Sequence, residues 1–206
     1  GQMLATLFGV PQEDRHKLIH WSDTVERLGD PDYFETLGEG FQELWKCFEY
    51  FDEVWKERQN RDTPGTDLIS TLVHGQSTKD MTPNEFLGNM LLLIVGGNDT
   101  TRNSISGGVL ALNQNPDQYE KLRRNPELIA KMVPEIIRWQ SPVAHMCRTA
   151  MEDVEVRGKK IKKGDKVVMW YISGNRDETA IEKAGRFIID RDKPRHHLSF
   201  GYGIHR

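Results

Sequence analysis

Apolar residues recur at helical spacing through roughly the first 140 positions, then give way to short alternating runs. Gln2 to Phe8 is a short apolar helix candidate. Pro11 marks a second helix start, and Leu18, Ile19, Trp21, Val25 and Leu28 follow at helical intervals until Gly29. Asp30-Pro31 reads as the N-cap and first residue of the next helix. Phe41, Leu44, Trp45, Phe48, Phe51 and Trp55 then form one stripe, with Glu and Lys on the other face. Core packing is the first expectation for this stripe. A lid helix with aromatic residues turned partly toward a substrate channel is the alternative. Asp67 to Val73 is a short helix. Thr82-Pro83-Asn84-Glu85 is a capping box that launches the longest helix, to about Asn113. Pro116 to Arg124 and Pro126 to Gln140 are two more helices. Pro134 predicts a kink in the second, or its true start.

Beyond Pro142 the period changes. Val154-Glu155-Val156 and Lys159-Lys160-Ile161 flank Arg157-Gly158 as a hairpin. Lys163-Gly164-Asp165 turns into the apolar run Val167 to Ile172, and Gly174 to Pro194 is a charged, irregular meander. The expected fold class is mainly α with a small β region. The 206 residues suffice for one domain with a real core.

Composition narrows the function classes. Charged residues make up 29% of the chain at a net charge of −3, which argues against a nucleic-acid partner. The two cysteines, Cys47 and Cys147, form no CxxC pair, so neither a zinc site nor a disulfide framework is expected. Reduced thiols fit a cytoplasmic location. The longest apolar run, Met90 to Val95, is far below the roughly 20 residues that span a bilayer. A start without Met and an end inside a loop lead to the expectation of a fragment lacking both ends.

Three stretches carry candidate chemistry. Gly96-Gly97-Asn98-Asp99-Thr100-Thr101 lies in mid-helix, where each glycine costs roughly 1 kcal/mol against alanine. A helix accepts that cost for close approach of a ligand or a local opening of its hydrogen-bond ladder. An acid beside an alcohol on one helical turn is able to relay protons; a satisfied Asp-Thr pair bonding local backbone is the structural alternative. Glu135 and Arg138, three apart, share a helix face and pair. Glu120 and Arg123 have the same spacing and read as a solvated face. Finally, His196 to Arg206 (HHLSFGYGIHR) alternates Gly201 and Gly203 beside Phe200, His205 and Arg206. Such a loop approaches a flat ligand closely and offers cationic heads to carboxylates. His196-His197 and the His145/Cys147 pair read as loop and strand residues rather than metal ligands.

In this order the motifs resemble those of cytochromes P450. Gly96 to Thr101 matches the oxygen-activation pattern [AG]-G-x-[DE]-T-[TS] at every defined position. Phe200, Gly201, Gly203 and His205 match the haem loop F-G-x-G-x-H-x-C-x-G, and the chain ends one residue before that pattern's ligating cysteine. The resemblance implies a mainly helical P450 fold, represented by its C-terminal half. The layout would be lid helices over 1–80, the oxygen helix over 82–114, helices ending in ExxR over 116–140, and a β region, meander and haem loop over 143–206. Its cofactor would be haem b, with no metal ligand in this chain and the axial cysteine expected immediately after Arg206. Catalysis would fall to Asp99 and Thr100. Cofactor contacts would come from Gly96, Gly97, Thr101, Phe200 and Gly201, and from Arg148 and His205 on the propionates. Glu135, Arg138 and Arg186 would form a network locking the meander, braced by Asn175-Arg176-Asp177. Neither Cys47 nor Cys147 would be the axial ligand.

Leu91 to Ser104, Val167 to Glu178 and Pro194 to Arg206 are most similar to soluble bacterial alkane hydroxylases of the P450 type. This implies insertion of one oxygen atom from O2 into a terminal C–H bond of an alkane or fatty chain. Electrons would come from NAD(P)H through a ferredoxin and its reductase. Leu92, Ile94, Val95, Val143 and Met146 are the expected walls of an apolar substrate pocket. A terpene or steroid hydroxylase is the alternative, and a non-redox helical ligand-binding module is the alternative of another class. The 206-residue chain itself is expected to bind haem poorly and to be inactive.

Overall fold

The computed structural model describes residues 1–63 and 65–203. It falls into two compact units, Gly1–Thr101 and Arg102–Arg206, with the boundary inside the longest helix. The helical layout with a small β region matches the expected class.

In the first unit, α1 (Gln2–Phe8) ends at Gly9, whose φ of 66° takes the left-handed cap conformation. A 3₁₀ turn at Gln12–Asp14 leads into α2 (Arg15–Glu26). Asp30-Pro31 does not start a helix. The Asp30 carboxylate accepts from the Asp32 N–H at 3.0 Å and its carbonyl accepts from Tyr33, which closes a turn instead. Helix α3 (Leu37–Gln59) begins after Thr36, whose hydroxyl accepts from the Glu39 N–H. Asp67 likewise caps α4 (Leu68–His74) through the Ser70 N–H at 2.9 Å. The predicted capping box holds: Glu85 accepts from the Thr82 N–H at 2.8 Å, and Thr82 accepts from the Glu85 N–H. It opens α5 (Pro83–Gln114).

The first unit packs around Leu4, Phe8, Leu18, Trp21, Phe51, Ile69, Met90 and Ile94. The aromatic stripe of α3 splits. Leu44, Cys47, Phe51 and Trp55 are buried, whereas Phe41 and Trp45 are exposed. Six aromatic and aliphatic residues over fifteen positions are wider than one buried face, so the stripe wraps past the core. Arg58 joins three segments: its Nη2 donates to the Gly9 carbonyl at 2.6 Å, and its Nε lies 3.4 Å from the Asp67 carboxylate.

In the second unit, α5 continues to Gln114, and α6 (Pro116–Arg124) follows with proline at its first position. A 3₁₀ turn at Pro126–Leu128 leads into α7 (Ile129–Gln140), which runs through Pro134. A Cβ on Gly108 would stand 2.7 Å from Ile136 Cδ1, so this glycine lets α5 approach α7. Strand β1 (His145–Thr149) pairs antiparallel with β4 (Lys166–Trp170), in the register His145↔Trp170 to Thr149↔Lys166. Between them β2 (Val154–Val156) and β3 (Lys159–Ile161) form the predicted hairpin across Arg157-Gly158. The apolar run after Asp165 splits into β4 and the short α8 (Tyr171–Gly174). The meander then packs Phe187 and Ile189 against Ala111 and Ile136.

Candidate functional site

The second unit is organised on a buried ionic cluster. Glu135 and Arg138 lie on adjacent turns of α7, and both are fully buried. Arg138 Nε and Nη2 donate to the two Glu135 carboxylate oxygens at 2.8 Å each, a bidentate fork. The remaining donors of Arg138 reach the carbonyls of Asn175, Ala184 and Arg186 at 2.6, 2.9 and 3.0 Å. One helix side chain therefore holds three points of the meander. Glu135 also accepts from the Ile188 N–H at 2.8 Å and from Arg191 Nε at 2.9 Å.

This corrects one expectation. The second guanidinium on Glu135 belongs to Arg191, not to Arg186, whose part in the cluster is its backbone carbonyl. Arg191 further donates to the carbonyls of Glu182, Lys183 and Arg186. The meander folds back over five residues, so an arginine later in the chain arrives at the carboxylate. Breaking a buried pair of this kind costs about 3–5 kcal/mol, because a charge is left without its partner.

Asn175 carries the link from this cluster to the terminal loop. It is fully buried, and its Nδ2 donates to Ser141 Oγ at 2.8 Å and to Ser199 Oγ at 2.9 Å. Its Oδ1 accepts from the Leu198 N–H at 2.6 Å. Ser199 Oγ donates to the Ile137 carbonyl at 3.0 Å, and Ser141 Oγ donates to the Arg138 carbonyl at 2.8 Å. The start of the loop is thereby fixed to the end of α7. Arg176 stacks over Trp139 at 3.7 Å and donates to its carbonyl at 2.7 Å. Ser141 and Ser199 are participants that the sequence did not mark, since single serines carry no pattern.

Within the loop, Gly201 closes a turn on the Leu198 carbonyl at a φ of 73°. The positive φ favours glycine there, and a Cβ would also crowd the Tyr171 hydroxyl at 3.0 Å. Gly203 has a φ of 101° and open space on its side-chain face. Phe200 beside them is 67% exposed. His205 lies outside the described residues, as do Ile204 and Arg206. On β1, Met146 and Arg148 are exposed, and Arg148 Nη1 donates to the Cys147 carbonyl at 3.0 Å. Val143 precedes the strand half-buried.

In the first unit, Thr100 Oγ1 donates to the Gly96 carbonyl at 2.7 Å. The hydroxyl proton thus rests on the helix backbone. Asp99 is half-buried and Thr101 exposed. Gly97 has a packing reason, since its Cβ would meet Leu4 Cδ2 at 2.8 Å. Gly96 has none: a Cβ there would touch nothing within 4 Å. Asn98 turns into the core, with its Nδ2 buried and unpaired among the described residues. Of the expected pocket walls on α5, Leu92 is 71% exposed and Val95 half-buried, but Ile94 is fully buried. Ile94 belongs to the core with Met90, four residues earlier on the same face.

These residues fit the surroundings of a haem rather than its axial bond. The exposed ring of Phe200 stands near Gly203, whose side-chain face is open, and Arg148 offers an exposed guanidinium. Neither cysteine fits as iron ligand. Cys47 is sealed in the core of the first unit, where burial pushes its thiol up to about 12, and Cys147 is on the exposed ribbon. Among the described residues no cluster of His, Cys, Asp and Glu is arranged to hold a metal ion. No described helix is long and apolar enough to cross a membrane.

A mainly helical chain with a buried Glu-Arg-Arg cluster, a glycine loop and an Asp-Thr pair on a long helix is matched by the cytochrome P450 family model over residues 31–206. The chain belongs to the cytochrome P450 family. It is 39% identical over 203 residues to linalool 8-monooxygenase from Pseudomonas putida, covering 98% of this chain and 49% of that protein. It is 36% identical to the methyl-branched lipid omega-hydroxylase of Mycobacterium tuberculosis, covering 98% and 47%. The solved structure of CYP153D17 from a Sphingomonas species superposes with a TM-score of 0.91 at 48% identity, over all of this chain and 51% of that one. The chain thus spans about half the length of the relatives it matches.

Proposed function

We propose that the whole protein is a haem-thiolate monooxygenase that hydroxylates the terminal carbon of an alkane or fatty chain. The observation carrying the proposal is the Gly96–Thr100 turn of α5: an unobstructed glycine, with its carbonyl bonded by a threonine hydroxyl beside a carboxylate. Bound haem would supply the activation of dioxygen. One oxygen atom enters the C–H bond and the other leaves as water, with electrons and protons delivered from outside. The chain's own residues serve the proton side. Thr100 Oγ1 holds a proton on the Gly96 carbonyl, and rotation about its C–O bond frees that proton for transfer. Asp99, its neighbour, replenishes it. Gly96, Gly97 and Thr101 give close approach on this helix. Phe200, Gly201 and Arg148 would hold the haem face and a propionate.

The chain-terminal substrate is supported by the similarity to a lipid omega-hydroxylase, and by apolar residues that the fold leaves exposed, Leu92 and Met146, or half-buried, Val95 and Val143. A terpene substrate is the second reading, favoured by the similarity to linalool 8-monooxygenase. Electrons from NAD(P)H would arrive through a ferredoxin and its reductase. The full-length protein, reconstituted with haem and such a donor pair, separates the readings. A primary alcohol from an n-alkane, with a reduced CO-bound Soret band of thiolate type, is the expected result. Oxidation of linalool with no alkane product would replace the first substrate by the second. Absence of the thiolate band would sink both.

A further inference from the structure

The most asymmetric charge in the chain lies where neither the proton relay nor the loop uses it. Between positions 157 and 166, six of ten residues are Lys or Arg and one is Asp, in a chain of net charge −3. They are Arg157, Lys159, Lys160, Lys162, Lys163 and Lys166. The structure places them on the β2–β3 hairpin and the turn that follows, and all six are exposed. Among the described residues, the five lysine ammonium groups make one hydrogen bond, Lys166 Nζ to Thr149 Oγ1 at 3.0 Å, and no ion pair. The nearby acids are largely committed elsewhere. Asp153 accepts from the Lys163 N–H and Asp165 from the Lys162 N–H, each at 2.8 Å, so both shape the turn. Glu155 stands opposite Lys160 in the ladder.

The pairing register adds a second property. Val154↔Ile161 and Val156↔Lys159 place Val154, Val156 and Ile161 on one face of the ribbon, because side chains alternate. Val154 is 46% exposed and Val156 52%, and Met151 at the base of the hairpin is 80% exposed. A ribbon face that carries Val154, Val156, Ile161 and Lys159, beside further exposed cations, is complementary to one kind of surface in particular. Anionic headgroups neutralise the cations, and the adjoining acyl boundary takes the methyl groups. A purely acidic protein partner would use the charges and leave the valines and Met151 without a role.

We propose that the 151–166 hairpin is a docking element for an anionic lipid surface. Docking would bring the protein to where apolar chains accumulate, but the interaction does not depend on the substrate reading, since it is measured without turnover. The experiment is co-sedimentation of the full-length holoenzyme with phosphatidylcholine vesicles, with and without phosphatidylglycerol. Binding is expected only to the anionic vesicles and should weaken as salt rises. The variant K159E/K160E/K162E/K163E should lower it by at least about tenfold, while replacing the same lysines by arginine should preserve it. V154S/V156S should remove the part that survives high salt. Every substituted side chain is exposed, so an unchanged circular dichroism spectrum is expected for all three. Equal binding to both vesicle types, or equal binding by the charge-reversed variant, overturns the proposal. So does a wild type that ignores vesicles while the charge reversal raises KM for an acidic electron donor, which would mark the patch as a protein-docking surface.

Discussion

Arg191 Nε lies 2.9 Å from the Glu135 carboxylate, although 56 positions separate the two residues. A helix side chain and a meander side chain thus share one buried charge, and the meander gains its position from that bond. The consequence is a ranking of arginines. Arg191→Ala should lower unfolding free energy by about 3 kcal/mol, as expected for removing one partner of a buried pair. Arg186→Ala should cost under about 1 kcal/mol, because only its carbonyl enters the cluster. Urea unfolding of the two variants checks the order; an equal loss would contradict it.

Asn175 makes three side-chain hydrogen bonds that tie α7 to residues 198 and 199. Asn175→Ala takes one donor from each of two buried hydroxyls, which keep their own carbonyl partners, and leaves the Leu198 N–H without its acceptor, at about 1 kcal/mol or more in all. The expected signature is faster amide hydrogen exchange at Leu198 and Ser199, beyond the general loss of stability. Retained protection there would show that the loop is held by other contacts.

Gly96 occupies a helix interior with nothing near its missing Cβ. Gly96→Ala should therefore leave the unfolding free energy unchanged or raise it by up to about 1 kcal/mol through helix propensity. On the proposed function, turnover by the full-length protein should nevertheless fall. A variant that is destabilised would show that packing, not ligand approach, selects glycine here.

Asp14 accepts a hydrogen bond from Tyr50 at 2.8 Å and pairs with Lys17 at 2.7 Å. The Lys17 hydrogen bond above all lowers its carboxyl below the ordinary range, against desolvation, with the Tyr50 bond assisting. A depressed carboxylate contributes stability that is fully present above its unfolded value of about 4 and disappears as pH falls through the lower folded value. Asp14→Ala should reduce stability at neutral pH and flatten the loss below about pH 4. Parallel acid titrations of chemical unfolding measure the difference; superimposable acid limbs would refute it.

The two cysteines differ in access. Cys47 is buried with its thiol pushed up to about 12, and Cys147 is exposed. At about pH 8 a maleimide should label one thiol quickly, and the second only on unfolding. Rapid labelling of both would mean that the first unit opens far more easily than its core implies.

Local features were legible in the sequence because local geometry is periodic. The Thr82–Glu85 capping box, the Arg157-Gly158 hairpin and the Glu135–Arg138 pair each involve residues within a few positions, where helix or turn geometry fixes who meets whom. The order of the oxygen-helix, ExxR and glycine-loop motifs also sufficed to place the chain in its family. The tertiary structure decided what depends on the path of irregular backbone and on the width of a buried face. It brought Arg191 rather than Arg186 to Glu135, drew Ile94 into the core, left Phe41 and Trp45 outside it, and paired β1 with β4 across the intervening hairpin. None of these has a fixed sequence spacing. Each is settled only when competing side chains are placed in the same space and the buried charge takes the partner that the folded chain delivers.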